Sequence, residues 1–323
     1  MMARVVLTGG GTGGHIMPGL ALAEEFKKKG CELLWVGAEG GLEQDIVPRN
    51  GISYRSSAMK RVSGAGGPIG FVRRGVSALG AVSGEKKALA EYDPDVVIGL
   101  GGYAAVPVLM AARKLSVPYF LLEQNTVPGK VTRHFAPKAK TVFSQFAEAR
   151  KKLNKKTLFQ HSGSPVRSRI IDAVRKAKDN RLAKSETLLV LGGSQGSRKI
   201  NRTICASLPE LELELPGLKI LHLAGKLDHE EVKGSYEGRT GHEVYDFVDE
   251  IEKLYVRCTA VVARAGAVSL AELSLLGVPV ILVPFPYAAG DHQTINARVY
   301  SEQDAAVLLE ESKLSPNRFT RTL

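Results

Sequence analysis

The feature that most constrains this chain is a short apolar run that leads directly into a run of glycines. Residues 3–7 are followed by the segment Thr8-Gly-Gly-Gly-Thr-Gly-Gly-His15, and a helical pattern comes next, at 20–29. A strand, a glycine-rich loop and a helix in this order cradle phosphate groups, because glycines let backbone N–H groups approach an anion and the helix N-terminus adds a favourable dipole. The glycines also match the G-x-G-x-x-G spacing of dinucleotide-binding loops. His15 is unusual in such a loop and points to chemistry beside the phosphates.

Length and composition indicate a globular protein of two domains. The chain has 323 residues, which suits two domains of about 150. It is 44% apolar and contains no run of about 18 uncharged apolar residues, so we expect no membrane-spanning helix. Its first residues lack the pattern of a signal peptide. Cys31, Cys205 and Cys258 show no CxxC or ligand-like spacing, so we expect reduced core residues of a cytosolic protein, without a disulfide framework or a metal site.

The net charge of +11 predicts an anionic partner. Nucleotide phosphates, nucleic acid and an anionic membrane surface all satisfy it, but the chain contains no zinc-finger or RNP motif. The basic residues occur in short clusters such as Lys27-Lys28-Lys29 and Arg150-Lys151-Lys152. The alternative interpretation of these clusters is that they are solvated helix faces.

Apolar strand-like runs alternate with helical stretches, which predicts an α/β fold with parallel sheets covered on both faces. The predicted strands of the first series are 5–7, 33–37, 96–98, 119–122 and 141–143. Breakers at 161–165 precede a second series, 188–191, 218–223, 244–247, 261–263 and 280–283, which again begins with a strand and a glycine loop. We therefore predict two doubly wound, Rossmann-like domains, residues 1–163 and 164–323, with both glycine loops lining a cleft between them.

Polar and glycine-rich segments follow several predicted strands, where parallel sheets bind their ligands. Gly101-Gly102-Tyr103 either approaches a ligand or forms a tight turn before the next helix, and Glu123-Gln124-Asn125 either supplies specificity groups or forms a solvated loop. Gly266 and Ala267 leave a helix N-terminus open to a phosphate. Glu272 lies in an otherwise apolar helical stretch, where a carboxylate should take a partner or meet a ligand hydroxyl, such as those of a ribose.

Two further segments carry candidate binding functions. Gly290-Asp-His-Gln293, with Asn296, follows a buried-looking strand and suggests a reader of sugar hydroxyls. The helical pattern at 68–87 is amphipathic and basic, which suits an anionic membrane surface, although packing on the core is the alternative. Its apolar stripe and the neighbouring cations comprise Ile69, Val72, Val76, Leu79 and Val82, with Arg61, Arg73, Arg74, Lys86 and Lys87.

Together these segments resemble the MurG family, the bacterial transferases that add GlcNAc from UDP-GlcNAc to lipid I to make lipid II for peptidoglycan. Seven matching blocks occur in the family's order and span almost the whole chain, namely 9–15, 99–103, 123–125, 164–167, 192–196, 264–267 with Glu272, and 291–293 with Asn296. The resemblance implies a GT-B architecture, in which two Rossmann-like domains face each other across a cleft. It places the donor nucleotide on the C-terminal domain and the lipid acceptor on the N-terminal domain.

The resemblance also implies roles for individual residues. Glu272 holds the ribose, and Val248 lies beside the uracil. The other donor-side residues, near the diphosphate or around the GlcNAc, are Thr12, Gly13, Gly14, Asn125, Arg167, Ser194, Gln195, Ala267, His292 and Gln293. The acceptor-side residues are Gly10, Gly11, Gly102 and Tyr103.

The chemistry implied by the resemblance is an inverting transfer that needs no metal or other cofactor. The MurNAc 4-hydroxyl attacks the anomeric carbon as UDP departs, and His15 is the candidate general base because an alcohol is a poor nucleophile near pH 7. Helix N-termini and Arg167 stabilise the leaving diphosphate. The one Asp-x-Asp sequence, Asp93-Pro-Asp95, precedes its strand instead of ending it, which favours metal independence.

The expected partners are UDP-GlcNAc, a polyprenyl-pyrophosphate-linked MurNAc-pentapeptide and an anionic membrane surface, with no nucleic acid. The resemblance implies a peripheral location at the cytoplasmic face of the bacterial plasma membrane. Family members continue beyond the position of Leu323 with helices that return to the N-terminal domain, so we expect those helices to be missing here.

Three other functions stay open. A nicotinamide dehydrogenase would bind the cofactor pyrophosphate with the first glycine loop. It would also need an acidic residue at the end of the second predicted strand, where this chain has Gly37. Another GT-B enzyme, such as a UDP-GlcNAc 2-epimerase or a different lipid-directed glycosyltransferase, would share the fold and the nucleotide site. A non-catalytic UDP-sugar-binding or membrane scaffold protein is the third.

Overall fold

The computed structural model describes residues 2–60, 68–178, 185–193 and 195–323, with side chains at all of these positions except 58–60, 68–79 and 178. The chain divides into two compact units, Met1–Arg167 (unit 1) and Ser168–Leu323 (unit 2). The predicted domain boundary at 163/164 lies in the segment just before the first helix of unit 2.

Unit 1 alternates strands and helices. Its strands are β1 (Arg4–Gly9), β2 (Glu32–Glu39), β3 (Ser53–Lys60), β4 (Val96–Gly101), β5 (Tyr119–Glu123), β6 (Val142–Ser144) and β7 (Phe159–His161). Its helices are α1 (Gly13–Lys28), α2 (Glu43–Arg49), α3 (Pro68–Tyr92), α4 (Ala105–Lys114) and α5 (Lys130–Phe135), with 3-10 turns at Ala136–Lys138 and Ala147–Lys152. Within the described part of this unit, the strands form one parallel sheet in the order β3-β2-β1-β4-β5-β6-β7.

The sheet of unit 1 has an apolar cluster on each face, as expected when helices cover both sides of a parallel sheet. Val6 and Val97 belong to one cluster, and Leu7 and Trp35 belong to the other. Trp35 is fully buried in β2, and its indole N–H donates to the Gly9 carbonyl at 3.0 Å. The sheet order reverses between β1 and β4, so the loops that follow these two strands meet at the switch point where doubly wound sheets bind ligands.

Unit 2 repeats this architecture. Its strands are β8 (Thr187–Leu191), β9 (Lys219–Leu223), β10 (Glu243–Tyr245), β11 (Ala260–Ala263), β12 (Val280–Leu282) and β13 (Val307–Leu308). Its helices are α6 (Ser168–Lys178), α7 (Arg198–Glu214), α8 (His229–Ser235), α9 (Glu252–Tyr255), α10 (Ala267–Leu276), α11 (His292–Ser301) and α12 (Pro316–Thr322), with 3-10 turns at Ala289–Asp291 and Glu311–Lys313. Among the residues described in unit 2, the parallel sheet has the order β10-β9-β8-β11-β12-β13, with its switch point between β8 and β11.

The predicted doubly wound α/β fold is confirmed in both units. Every predicted strand overlaps an observed one. The sequence patterns missed β3, β7 and β13, which lie at sheet edges.

Candidate active site

His15 lies in the first turn of α1, half-buried, directly after the glycine loop. Its Nδ1 is 3.1 Å from the Gly10 carbonyl oxygen and 3.2 Å from Oγ1 of Thr12. A carbonyl oxygen can only accept a hydrogen bond, so in the neutral ring Nδ1 carries the proton and the lone pair lies on Nε2. This tautomer is the one in which Nε2 can act as a base.

A second glycine loop, after β4, packs directly on the first. Gly101 and Gly102 have φ of +99° and +79°, which favour glycine. A Cβ on Gly101 would lie 2.9 Å from Cδ2 and Nε2 of His15, and one on Gly102 would lie 2.6 Å from the Gly10 oxygen. The structure therefore brings Gly10, His15, Gly101 and Gly102 together, and it places Tyr103 beside them as an exposed side chain.

The outer side of the first glycine loop is open. A Cβ on Gly11 or Gly13 would meet nothing within 4 Å, and the Thr12 and Gly14 positions are exposed. Gly13 and Gly14 begin α1, so backbone N–H groups at a helix N-terminus border this open space. The geometry suits an anion such as a phosphate.

A buried carboxylate that was not predicted from the sequence holds the inner side of this loop. Glu43, the first residue of α2, is fully buried. Its Oε2 accepts the Gly11 N–H at 2.9 Å, and its Oε1 accepts the Ala38 N–H at 2.9 Å. The one sequence signal was the glycine pair Gly40-Gly41 shortly before it, which leaves space for a side chain to turn inward.

The segment after β5 is held by a buried carboxylate of its own. The Glu123 side chain accepts the backbone N–H groups of Asn125, at 3.1 Å, and Gly129, at 3.0 Å. Burial raises the pKa of Glu123, and a hydrogen bond from Thr132 and those from Asn125 and Gly129 oppose that rise. Gln124 is also buried and donates to the Leu100 carbonyl at 3.2 Å. Two of the three polar residues predicted here thus build the loop, and the third, Asn125, is half-buried at its turn.

In unit 2, the loop after β8 leads tightly into α7. Ser197 caps α7 by accepting the Ile200 N–H. Gly196 has φ of +79°, and a Cβ there would overlap the Ala224 carbonyl, so glycine is required. Gln195 is exposed, and Ser194 lies outside the described residues.

Arg264, directly after β11, joins three loops at the same end of the sheet. Its buried guanidinium donates to the carbonyls of Val283 and Pro284 at 3.1 and 2.9 Å, and to Oγ of Ser197 at 2.6 Å. It also forms an ion pair with Glu311. Arg264 lies in the predicted block 264–267, but its partners are distant in sequence and were not predicted.

The helix that follows, α10, carries Glu272. Its carboxylate is buried and accepts a hydrogen bond from the Tyr255 hydroxyl at 2.8 Å, so the expected partner exists and is a tyrosine of α9. Ala267 is the first residue of α10 after the N-cap Gly266, whose position adds no side-chain cap. Backbone N–H groups at a helix N-terminus carry partial positive charge, which favours an anionic ligand at this end of α10.

The first turn of α11 brings the remaining donor-side candidates to this edge. Oε1 of Gln293 accepts the Phe285 N–H at 2.9 Å, and the His292 ring lies 2.8 Å from the Ala289 carbonyl. Asn296 is fully buried and donates to the Ala265 carbonyl at 3.4 Å. These contacts fix α11 against the loops that follow β11 and β12.

Arg167 and Val248 complete the predicted set. Val248 is half-buried in the segment between β10 and α9, and Arg167 is a half-buried side chain at the last position of unit 1.

The aspartates of the Asp-x-Asp sequence lie at the amino end of β4, where Asp95 accepts the Arg4 N–H at 2.7 Å and Asp93 pairs with the Arg4 guanidinium. They are thus at the opposite end of the sheet from the glycine loops.

In 2–60, 68–178, 185–193 and 195–323, no group of three or more His, Cys, Asp or Glu side chains could hold a metal ion. Among those same residues, no helix is both long enough and apolar enough to span a membrane. The basic amphipathic segment is described only in part. Val82 is buried, and Lys86 and Lys87 are exposed. Outside the described part lie Arg61 and the side chains of Ile69, Val72, Arg73, Arg74, Val76 and Leu79.

Comparison with known proteins places this geometry in a family. The N-terminal domain of glycosyltransferase family 28 matches residues 5–144, and its C-terminal domain matches residues 187–323. A UDP-N-acetylglucosamine--N-acetylmuramyl-(pentapeptide) pyrophosphoryl-undecaprenol N-acetylglucosamine transferase of Geotalea daltonii is 37% identical, covering 97% of this chain and 86% of the relative. The enzyme of the same name from Myxococcus xanthus is 37% identical, covering 100% and 84%.

Solved structures agree with this placement. The crystal structure of Acinetobacter baumannii MurG is similar with a TM-score of 0.78 and 25% identity, covering 99% of this chain and 89% of that one. A putative UDP-N-acetylglucosamine 2-epimerase of Listeria monocytogenes shares the fold at a TM-score of 0.59 and 15% identity, covering 87% and 79%. The chain therefore belongs to glycosyltransferase family 28 and, within it, to the MurG family of N-acetylglucosamine transferases.

Proposed function

We propose that this protein is an inverting transferase that moves GlcNAc from UDP-GlcNAc to the MurNAc 4-hydroxyl of undecaprenyl-pyrophosphoryl-MurNAc-pentapeptide. Relatives named for these two substrates match nearly the whole chain. The observation in this molecule that carries the proposal is His15, whose Nδ1–H is bound to the Gly10 carbonyl at the junction of two glycine loops.

In this proposal unit 1 serves the acceptor. The acceptor diphosphate lies against the open side of the first glycine loop and near the second, at Gly10, Gly11, Gly102 and Tyr103. Nε2 of His15 accepts the proton of the 4-hydroxyl as that oxygen attacks the anomeric carbon and UDP departs. The bound Nδ1 supports the reaction because it holds the ring in the basic tautomer.

Unit 2 serves the donor. Glu272 accepts hydrogen bonds from the ribose hydroxyls, and Val248 lies beside the uracil. The N-terminus of α10 at Ala267, together with Arg167, stabilises charge on the leaving diphosphate. The other donor contacts in the proposal are Thr12, Gly13, Gly14, Asn125, Ser194, Gln195, His292 and Gln293.

The test is His15→Ala, assayed for UDP release with a lipid acceptor analogue. We expect turnover to fall about 100-fold to 10,000-fold, the usual contribution of a positioned base. UDP-GlcNAc affinity, measured by calorimetry, should stay within about twofold. His134→Ala, an exposed histidine of α5, is the matched control and should keep full turnover.

Two results would contradict the proposal. Undiminished turnover in His15→Ala would remove the base assignment, and UDP release from UDP-GlcNAc alone, without acceptor, would favour epimerase-type chemistry. A transferase releases UDP only in proportion to the glycosylated acceptor, so both products are quantified in the same reaction.

We propose further that the protein acts as a peripheral protein at the cytoplasmic face of the bacterial plasma membrane. The support is the net charge of +11 and exposed lysines of unit 1, including Lys86, Lys87, Lys151 and Lys152. Sedimentation with anionic vesicles should capture the protein at low salt, and capture should weaken as salt screens the charges. Equal binding to zwitterionic vesicles, or none to anionic ones, would refute this location.

A further inference from the structure

Glu43 is a buried carboxylate whose two oxygens each accept a backbone N–H group. Oε2 accepts from Gly11 in the loop after β1, and Oε1 accepts from Ala38 near the end of β2, each at 2.9 Å. The side chain is 0% exposed. Burying a charged group is costly unless its hydrogen bonds are made, so a simple core position does not explain a glutamate here.

The surrounding backbone is shaped to admit this side chain. A Cβ on Gly10 or Gly41 would overlap the Glu43 carboxylate, and one on Gly37 would lie 2.5 Å from its Cγ. Gly10 and Gly41, from the loops after β1 and β2, and Gly37 of β2 thus form one cavity that the glutamate fills. The cavity places the carboxylate directly against the Gly10–Gly11 peptide.

That peptide group also contacts the proposed base. The Gly11 N–H that Glu43 accepts and the Gly10 C=O that His15 contacts belong to the same amide. The hydrogen bonds therefore run in series from Nδ1–H of His15 to the Gly10 carbonyl, and from the Gly11 N–H to the carboxylate. Hydrogen bonds in such a chain polarise one another, and a negative charge at the acceptor end strengthens the carbonyl as an acceptor.

We infer that Glu43 is a positioning residue that acts through the Gly10–Gly11 peptide to orient the His15 ring and hold its proton on Nδ1. The peptide takes the place that a direct carboxylate–imidazole contact has in a Ser-His-Asp triad. This inference rests on the proposed role of His15 for its catalytic consequence, whereas the tautomer itself is measurable without turnover.

The first measurement uses the unmodified protein. In ¹⁵N-labelled protein the side-chain nitrogens of His15, identified by their loss in His15→Ala, should show the Nδ1–H tautomer at a pH where the ring is neutral. Finding the Nε2–H tautomer there would overturn the inference without any substitution at Glu43.

The second measurement uses Glu43→Gln, in which an amide group replaces one acceptor and faces a backbone N–H. We expect kcat to fall about 10-fold to 100-fold, the effect of removing a partner that orients a metal-binding histidine. UDP-GlcNAc affinity should be unchanged, and the uniform Nδ1–H tautomer should be lost. Asp45→Asn, the equivalent carboxylate-to-amide change at an exposed position of α2, should match the unmodified protein in kcat, UDP-GlcNAc affinity and tautomer.

The outcomes separate the two proposals. Normal kcat and an unchanged tautomer in a folded Glu43→Gln variant would overturn the relay. If His15→Ala keeps full turnover while Glu43→Gln still changes the tautomer, the base assignment fails and the positioning role stands. Should Glu43→Gln not fold, as judged by circular dichroism, the tautomer of the unmodified protein decides.

Discussion

At the scale of single residues, buried charged side chains hold the loops that border the candidate site. Glu43 and Glu123 each accept two backbone N–H groups. Arg264 gives its donors to two carbonyls and a hydroxyl. Each of these side chains ties a loop in place through several hydrogen bonds, and a site needs loops held in place if it is to keep reactants in register. Glu272 accepts a hydrogen bond from a side-chain hydroxyl, that of Tyr255.

Replacement of Glu272 tests its proposed role. Glu272→Ala removes the carboxylate that would accept the ribose hydroxyls, and hydrogen bonds to a charged group contribute about 1.5–3 kcal/mol. We expect the Kd for UDP to rise about 10-fold to 150-fold in calorimetry. Glu302→Gln, an exposed site at the end of α11, serves as the control. UDP affinity that is equal in Glu272→Ala and the control would remove Glu272 from the donor site.

At the scale of elements, short loops after the switch-point strands position the candidate site residues. Edge strands are the elements with the weakest sequence signal. β3, β7 and β13 were missed because an edge strand is covered on fewer sides and needs no continuous apolar run. β7, for example, reads Phe-Gln-His. The central strands β1 and β8 were predicted because both of their faces are buried, so each contains an uninterrupted apolar run, at 5–7 and at 188–191.

Two Gly→Ala changes in unit 1, one at the contact between its glycine loops and one in α3, should have opposite effects on stability. Gly102→Ala puts a Cβ against the Gly10 carbonyl at a positive φ, so we expect a loss of about 1–3 kcal/mol in unfolding free energy and lower turnover. Gly80→Ala lies in α3, where a Cβ meets nothing within 4 Å, and should raise stability by about 0.5–1 kcal/mol. Denaturant unfolding measures both, and equal effects would show that the loops do not pack as described.

At the scale of the whole molecule, each unit repeats one design in which binding loops follow the central strands. The stability of unit 2 also depends on a polar core group. His222 in β9 is fully buried between the Tyr236 hydroxyl and Oδ1 of Asn201, each at 3.0 Å. Burial lowers the pKa of His222 to about 3. The folded protein therefore keeps this ring neutral where the unfolded chain would protonate it.

This histidine predicts a loss of stability in acid. The unfolded chain begins to bind the proton as pH falls below about 6.5, and the folded chain does so only near pH 3, so stability is lost progressively within that window. Between pH 7 and 5 we expect His222 to account for about 2 kcal/mol. Denaturant unfolding of His222→Gln should lack this component of the pH dependence, and His134→Gln should retain it. A variant with the same pH dependence as the parent would contradict the burial effect.

The sequence by itself determined the doubly wound fold, the two series of strands, the glycine loops and the family. These depend on local periodicity and on residue types that suit few backbone geometries, such as glycine at positive φ. Only the tertiary structure decided which side chains hold those loops. Glu43 is 32 residues from Gly11, Tyr255 is 17 from Glu272, and Arg264 is 67 from Ser197. Such pairs depend on how parallel strands and their crossover helices bring distant loops to one sheet edge, and no local pattern encodes that meeting.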